Sequence, residues 1–222
     1  MIAESEQIEQ EINTFCTSLR SANSFQKPYK HLLLKNCFSN DILTALDTLN
    51  FPATQTEGLS GKREYHNDQR HYFSVANRAK EPAIETLAQV FRSQTVLKQL
   101  HDATGAVLDG TYVRIEYAQD SDGFWLEPHT DLGVKTITII ISIRDGQEHL
   151  GTDIYETPEK HAHSCDFSKG AGLIFVPGEN TWHGFEPRPI KGIRKSIIMN
   201  YVTADWRARN QFSFEEPISF KP

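Results

Sequence analysis

Beyond Gly110 the chain becomes a succession of short β-branched or aromatic runs, at residues 111–118, 135–143, 152–157, 173–176 and 195–202. Turn pairs separate them: Asp122-Gly123, Asp145-Gly146, Lys169-Gly170 and Pro177-Gly178. Runs of that length between turn residues are predicted strands, and several in succession point to a jelly roll or barrel. The N-terminal half has a different rhythm. Ile8, Ile12, Phe15 and Leu19 recur at helical spacing among acidic and amide residues, so an amphipathic helix opens the chain and is expected to lie on the outside of something flat. Residues 31–38 read as a strand. Ser39-Asn40-Asp41 then caps a helix running to about Leu49, and Asn50-Phe51-Pro52 stops it. From 53 to 80 no period holds, and an irregular stretch or short strands are expected. Pro82 and Gly105 bracket one or two further helices. Helices followed by strands make an α+β pattern. No repeat or linker divides the chain, so a single domain is expected over 1–222, with 1–110 mainly helical support plus the irregular segment and 111–205 the jelly-roll core.

Composition narrows the classes of function. With 222 residues, 38% of them hydrophobic, the chain can bury a sizeable core. The net charge of -6, with no long block of like charges, speaks against nonspecific nucleic-acid binding through phosphates. The longest apolar stretch, 137–143, is interrupted by Thr138 and Ser142 and falls far short of the roughly 20 residues a membrane helix needs. The first six residues lack the charged and apolar regions of a signal peptide, so no membrane partner and a cytoplasmic location are expected. Cys16, Cys37 and Cys165 are odd in number and far apart, which suits buried or idle thiols better than a disulfide framework or a cysteine zinc site.

The chemistry concentrates in three places. In His129-Thr130-Asp131 the outer side chains lie two residues apart, so an extended backbone points an imidazole and a carboxylate the same way. A second imidazole would complete the two-histidine, one-carboxylate triad that holds non-haem Fe(II) with positions left open. His183, in Asn180-Thr181-Trp182-His183-Gly184, is the best-placed donor, with His149 or His163 next in line. Gly184 lets another backbone come close. Trp182 reads as packing that orients the ligand. Farther on, strand alternation puts Arg194, Ser196, Ile198 and Asn200 on one face, where a guanidinium and a hydroxyl can clamp a carboxylate. Other features carry less weight: His161-Ala162-His163 reads as an exposed connection, His66 and Asp68 lack a strand to align them, and Lys169-Gly170-Ala171-Gly172 leads into a strand rather than a phosphate-cradling helix.

Read in order, His129-x-Asp131, the distal His183 and the basic Arg194-x-Ser196 resemble the Fe(II)- and 2-oxoglutarate-dependent dioxygenase superfamily, in particular its prolyl-hydroxylase-like branch. The likeness covers about residues 112–202 and rests on the combination of motifs. It implies a double-stranded β-helix, iron held by His129, Asp131 and His183, and the distal carboxylate of 2-oxoglutarate held by Arg194 with Ser196. Tyr117, ending the strand before the first ligand, resembles a tyrosine that often contacts the cosubstrate. The implied reaction uses O2 and 2-oxoglutarate, releases succinate and CO2, and oxidises a C–H bond of a substrate. Because Asp131 occupies the carboxylate position, the resemblance implies hydroxylation rather than halogenation.

The expected substrate is a small metabolite, an amino acid or natural-product intermediate, with a protein side chain of the prolyl type as runner-up. Two rival readings are a cupin-like metal dioxygenase without 2-oxoglutarate, against which Arg194 and Ser196 speak, and a non-catalytic ligand-binding sandwich. Substrate contacts are expected from loops around the rigid strands: Arg70, Tyr65 and their neighbours Arg63 and Tyr72, Trp125 in the loop at 120–125, and the inward-facing Asn200.

Overall fold

A computed structural model describes residues 2–52, 61–62, 70–145 and 149–221. Five helices occur among them: α1 (Ile2–Arg20), α2 (Asn40–Asp47), α3 (Val75–Arg78), α4 (Pro82–Arg92) and α5 (Gln94–Thr104). The strands are β1 (Asn23–Phe25), β2 (His31–Leu34), β3 (His71–Tyr72), β4 (Tyr112–Asp120), β5 (Leu126–His129), β6 (Lys135–Ser142), β7 (Asp153–Thr157), β8 (Lys160–Ser164), β9 (Gly172–Phe175), β10 (His183–Phe185) and β11 (Arg194–Val202). All pair antiparallel, in a larger sheet ordered β1-β2-β9-β6-β11-β4-β3 and a smaller one ordered β5-β10-β7-β8.

Local chemistry accounts for the helix ends. Ser39 accepts a hydrogen bond from the Ile42 amide and starts α2, while buried Glu11 of α1 accepts from the Ser39 amide at 2.9 Å and ties the two helices together. Pro82 opens α4. Gly105, at φ 78°, closes α5 by donating its N–H to the His101 carbonyl. The helix α1 packs on α4 and α5 rather than directly on a sheet, with the Phe15 ring stacked on Phe38 and edge-on to Phe91. The predicted strand at 31–38 ends four residues early, and His161 and His163, expected in an exposed connection, lie in the hairpin strand β8.

Alternation along the three central strands of the larger sheet decides where the core and the site lie. Val113, Ile115 and Tyr117 of β4, Ile137, Ile139 and Ile141 of β6, and Ile197, Met199 and Tyr201 of β11 face the helices. There they merge with Leu43, Leu46, Leu87, Phe91 and Leu97 into one buried cluster. Tyr117 Oη donates to the Leu46 carbonyl and Tyr201 Oη to the Phe91 carbonyl, so both phenols finish helix ends inside that core. The opposite faces of the same strands look toward the smaller sheet and hold Arg114, Glu116, Asp120, Thr138, Arg194, Ser196 and Asn200 beside the apolar Ile140 and Ile198. All three cysteines are buried free thiols. No helix among the described residues is long and apolar enough to cross a membrane.

Candidate active site

Antiparallel pairing of β5 with β10 places His183 opposite His129, with the rings 4.4 Å apart between centroids. Gly184 permits this approach, because a Cβ there would stand 2.9 Å from the Leu126 carbonyl oxygen. Asp131, two residues beyond His129, turns to the same point. One ligand atom from each of the three side chains falls within 4.8 Å of the others. His129 Nδ1 donates to the Glu127 carbonyl at 2.8 Å and His183 Nδ1 to the Thr181 carbonyl at 2.9 Å. A carbonyl can only accept, so in each ring Nδ1 carries a proton and Nε2 is the nitrogen that can serve as a ligand. Burial, reinforced by the neighbouring His183, pushes the His129 imidazole down to about 4 and keeps it neutral at physiological pH. Burial alone would raise the Asp131 carboxyl, but the Lys135 ammonium and His183 hold it well below the usual carboxylate range. Lys135 Nζ pairs directly with Asp131 Oδ1.

The other Asp131 oxygen is fixed by a row that crosses the larger sheet. Thr138 Oγ1 donates to Asp131 Oδ2 at 2.6 Å, and Asn200 Nδ2 donates to Thr138 Oγ1 at 2.9 Å. Arg114 Nη1 donates to Asn200 Oδ1 at 3.1 Å, and Arg114 Nη2 to Glu116 Oε2 at 3.0 Å. The register explains the row, since Asn200 pairs with Thr138 on one side and Arg114 on the other. Asn200 faces inward as expected, but its amide is fully buried and bonded within the sheet. It is linked to Asp131 through Thr138, and the cavity wall does not include it.

Arg194 starts β11 and shares one cavity with the triad. Its Nε donates to the Leu150 carbonyl at 2.7 Å and its Nη1 to Asp120 Oδ2 at 2.6 Å. The guanidinium carbon lies 4.7 Å over the Phe185 ring and 4.9 Å over Phe167. Ser196, two residues along the same face, lines the cavity with a buried Oγ that has no hydrogen-bond partner among the described residues.

The remaining expected contacts divide. Tyr117 is corrected: it lies on the odd-numbered, helix-facing side of β4, its hydroxyl spent on Leu46, and the cavity wall does not include it. Trp125 also stays out of that wall. It packs over Gly61, and its neighbour Phe124 lines the cavity instead. Arg70 does line the cavity, but at the Arg194 end, with Nη2 2.7 Å from Asp120 Oδ1. Tyr65, Arg63, His66 and Asp68 lie outside the described residues. His149 is exposed, and His163 packs against His31 and Phe25. Thr138, Lys135, Asp120 and Glu116 were not anticipated. A signal for the last two was present, because charges at 114, 116 and 120 share the parity of Arg194 once β4 and β11 pair.

No family model matches the chain, and no curated protein matches it either. Solved structures do. A prolyl hydroxylase from Trichoplax adhaerens, in complex with a hypoxia inducible factor oxygen degradation domain peptide fragment, superposes with a TM-score of 0.58 at 13% identity, covering 91% of this chain and 93% of that one. A Pseudomonas putida prolyl-4-hydroxylase gives 0.55 at 12% identity over 87% of this chain and 93% of that one. A viral collagen prolyl hydroxylase from Paramecium Bursaria Chlorella virus-1, solved as a 2OG complex, gives 0.53 at 12% identity over 78% and 96%. At these identities the likeness establishes a shared fold.

Proposed function

We propose that the chain is an Fe(II)- and 2-oxoglutarate-dependent oxygenase that hydroxylates an unactivated C–H bond, built as one domain on a double-stranded β-helix. The observation that carries this reading is the convergence of His129, Asp131 and His183 in the same cavity as Arg194 and the unpartnered Ser196 Oγ. The donor set fits the metal: two imidazoles and one carboxylate, with ligand atoms within 4.8 Å of one another, are the two-histidine, one-carboxylate set that holds non-haem Fe(II). The far end fits the cosubstrate, since a guanidinium and an unsatisfied hydroxyl suit a carboxylate. Bound Fe(II) with 2-oxoglutarate and O2 supplies an oxidant strong enough to attack a C–H bond, at the cost of converting 2-oxoglutarate to succinate and CO2.

The chain's own residues hold and orient. His129 and His183 donate Nε2, with ring orientation fixed by the Glu127 and Thr181 carbonyls. Asp131 would supply a carboxylate oxygen, its group held by Thr138 at Oδ2 and by Lys135 at Oδ1. Lys135, paired with Asp131, balances the carboxylate charge from the β6 side. Arg194 and Ser196 take the distal carboxylate, while Phe124, Leu126 and Phe185 give that part of the cavity an apolar lining.

For substrate the proposal is a small metabolite. The peptide bound to the Trichoplax adhaerens neighbour favours peptidyl proline as the second arm of the test. Purified chain given Fe(II), O2 and 2-oxoglutarate should release succinate slowly without substrate, as a binding module would not. Amino acids, other metabolites and proline peptides are then compared by their stimulation of that release. No succinate under any of these conditions would reject the reading.

A further inference from the structure

The clamp end of the cavity contains a second guanidinium. Arg70 stands just ahead of β3, which pairs with β4 at His71 and Tyr117, and its side chain reaches Asp120 at the end of β4. Asp120 therefore lies between two arginines, with Oδ1 2.7 Å from Arg70 Nη2 and Oδ2 2.6 Å from Arg194 Nη1. Arg70 Nε stands 3.5 Å from Glu116 Oε1 without a hydrogen bond to it, and among the described residues neither Nε nor Nη1 has a hydrogen-bond partner. The side chain is only 2% exposed, so these are buried donors at the wall of the cavity. Burying such donors unpaired is unfavourable unless something arrives to accept from them.

Charge points the same way. Among the described residues, the buried network holds three guanidiniums, Arg70, Arg114 and Arg194, against two carboxylates, Glu116 and Asp120. One positive charge is left over in a place from which water is largely excluded, which is costly until an anion enters. The ring contacts are parallel: Arg70 lies 5.3 Å over Phe124, Arg194 lies 4.7 Å over Phe185, and the two rings are 5.7 Å apart. Along β11 this end belongs to Arg194 and Ser196, whereas Asp131 is tied through Thr138 to the Asn200 row, several residues away.

We infer that Arg70 is a second binding residue for the distal carboxylate of the cosubstrate, forming with Arg194, Ser196 and the shared Asp120 a two-arginine cradle, and that it is not a contact for the oxidised substrate. This rests on the 2-oxoglutarate reading above. The cradle's single surplus charge matches one carboxylate, and its paired donors favour a 2-oxo diacid over a 2-oxo monoacid.

The test is calorimetric binding of 2-oxoglutarate and of pyruvate to Mn(II)-loaded protein, comparing wild type with Arg70→Gln and Arg70→Lys. Pyruvate keeps the 2-oxo acid head and lacks the distal carboxylate. Loss of one charged hydrogen bond predicts about 10- to 100-fold weaker 2-oxoglutarate binding in Arg70→Gln, unchanged pyruvate binding, and partial recovery in Arg70→Lys. In chelator, glutarate should raise the melting temperature of wild type and should do so less in Arg70→Gln. Equal loss of both acids would show that Arg70 merely supports the fold and would overturn the inference. So would undiminished 2-oxoglutarate binding in Arg70→Gln, whether or not substrate kinetics change. If Arg70→Gln does not fold, Arg70→Lys carries the same diacid-to-monoacid comparison. Wild type that binds Mn(II) but not 2-oxoglutarate would bring down the oxygenase reading itself, and this inference with it.

Discussion

The two faces of the larger sheet come from the same residues in alternation, yet they do opposite work. On β4, Val113, Ile115 and Tyr117 are sealed against the helices, while Arg114, Glu116 and Asp120, of the opposite parity, belong to a buried ionic row on the cavity side. On β11, Ile197, Met199 and Tyr201 alternate with Arg194, Ser196 and Asn200 in the same way. The helix side gains stability from apolar area removed from water. The cavity side buries charge, which contributes little net stability but fixes the side chains that the proposed function assigns to metal and carboxylate binding. A period of two thus puts scaffold and chemistry on one set of strands, and a one-residue shift would exchange them.

Substitutions of equal size on the two faces should therefore separate binding from stability. The largest effect is expected on the cavity side at the metal. Asp131→Ala and His183→Ala should each abolish measurable Fe(II) or Mn(II) binding and turnover, checked by metal titration. A full complement of metal in His183→Ala would move the third ligand elsewhere. Next is Arg194→Gln, which removes charge-assisted hydrogen bonds of about 1.5–3 kcal/mol each. It should weaken 2-oxoglutarate binding about 100-fold or more while leaving metal affinity nearly intact. Third is Thr138→Val, which keeps the shape and deletes the donor to Asp131. Loss of such a support should cost about 10- to 100-fold in metal affinity, seen in the same titration. Smallest for function is Tyr117→Phe on the helix side. It loses only the bond to the Leu46 carbonyl, so denaturant unfolding should show about 1 kcal/mol less stability with 2-oxoglutarate binding unchanged. A selective loss of cosubstrate affinity there would restore Tyr117 to the site.

The contrast between faces also explains how much could be read from the sequence. The strands at 112–120, 135–142 and 194–202 were visible because β-branched runs end at glycine turns. The helix pair between Pro82 and Gly105 was visible because both ends carry their stop signals. The pairing of His129 with Asp131 is legible because two-residue spacing on an extended chain fixes direction, whereas strand pairing is what sets His183 opposite His129. Tyr117 was misplaced although the same rule applied. In Val113-Arg114-Ile115-Glu116-Tyr117 the alternation already sets the tyrosine with the apolar set, but reading the strand as ending at Ala118 hid Asp120 and with it the polar set. Thr138 and Asn200 as supports of Asp131 were beyond reach, because their role depends on which strands become neighbours. Arg70 is legible as a candidate site residue, but its place at the Arg194 end is not, since only the pairing of β3 with β4 carries it there.

The central claim is that metal and 2-oxoglutarate share one site, the triad taking the metal and Arg194 the far end of the cosubstrate. Mn(II) titration with and without 2-oxoglutarate tests this most directly, because ligands that meet in one site raise each other's affinity reciprocally. The account predicts one metal per chain, bound more tightly when 2-oxoglutarate is present, with the enhancement lost in Arg194→Gln. Metal affinity indifferent to 2-oxoglutarate in the wild-type chain would contradict it.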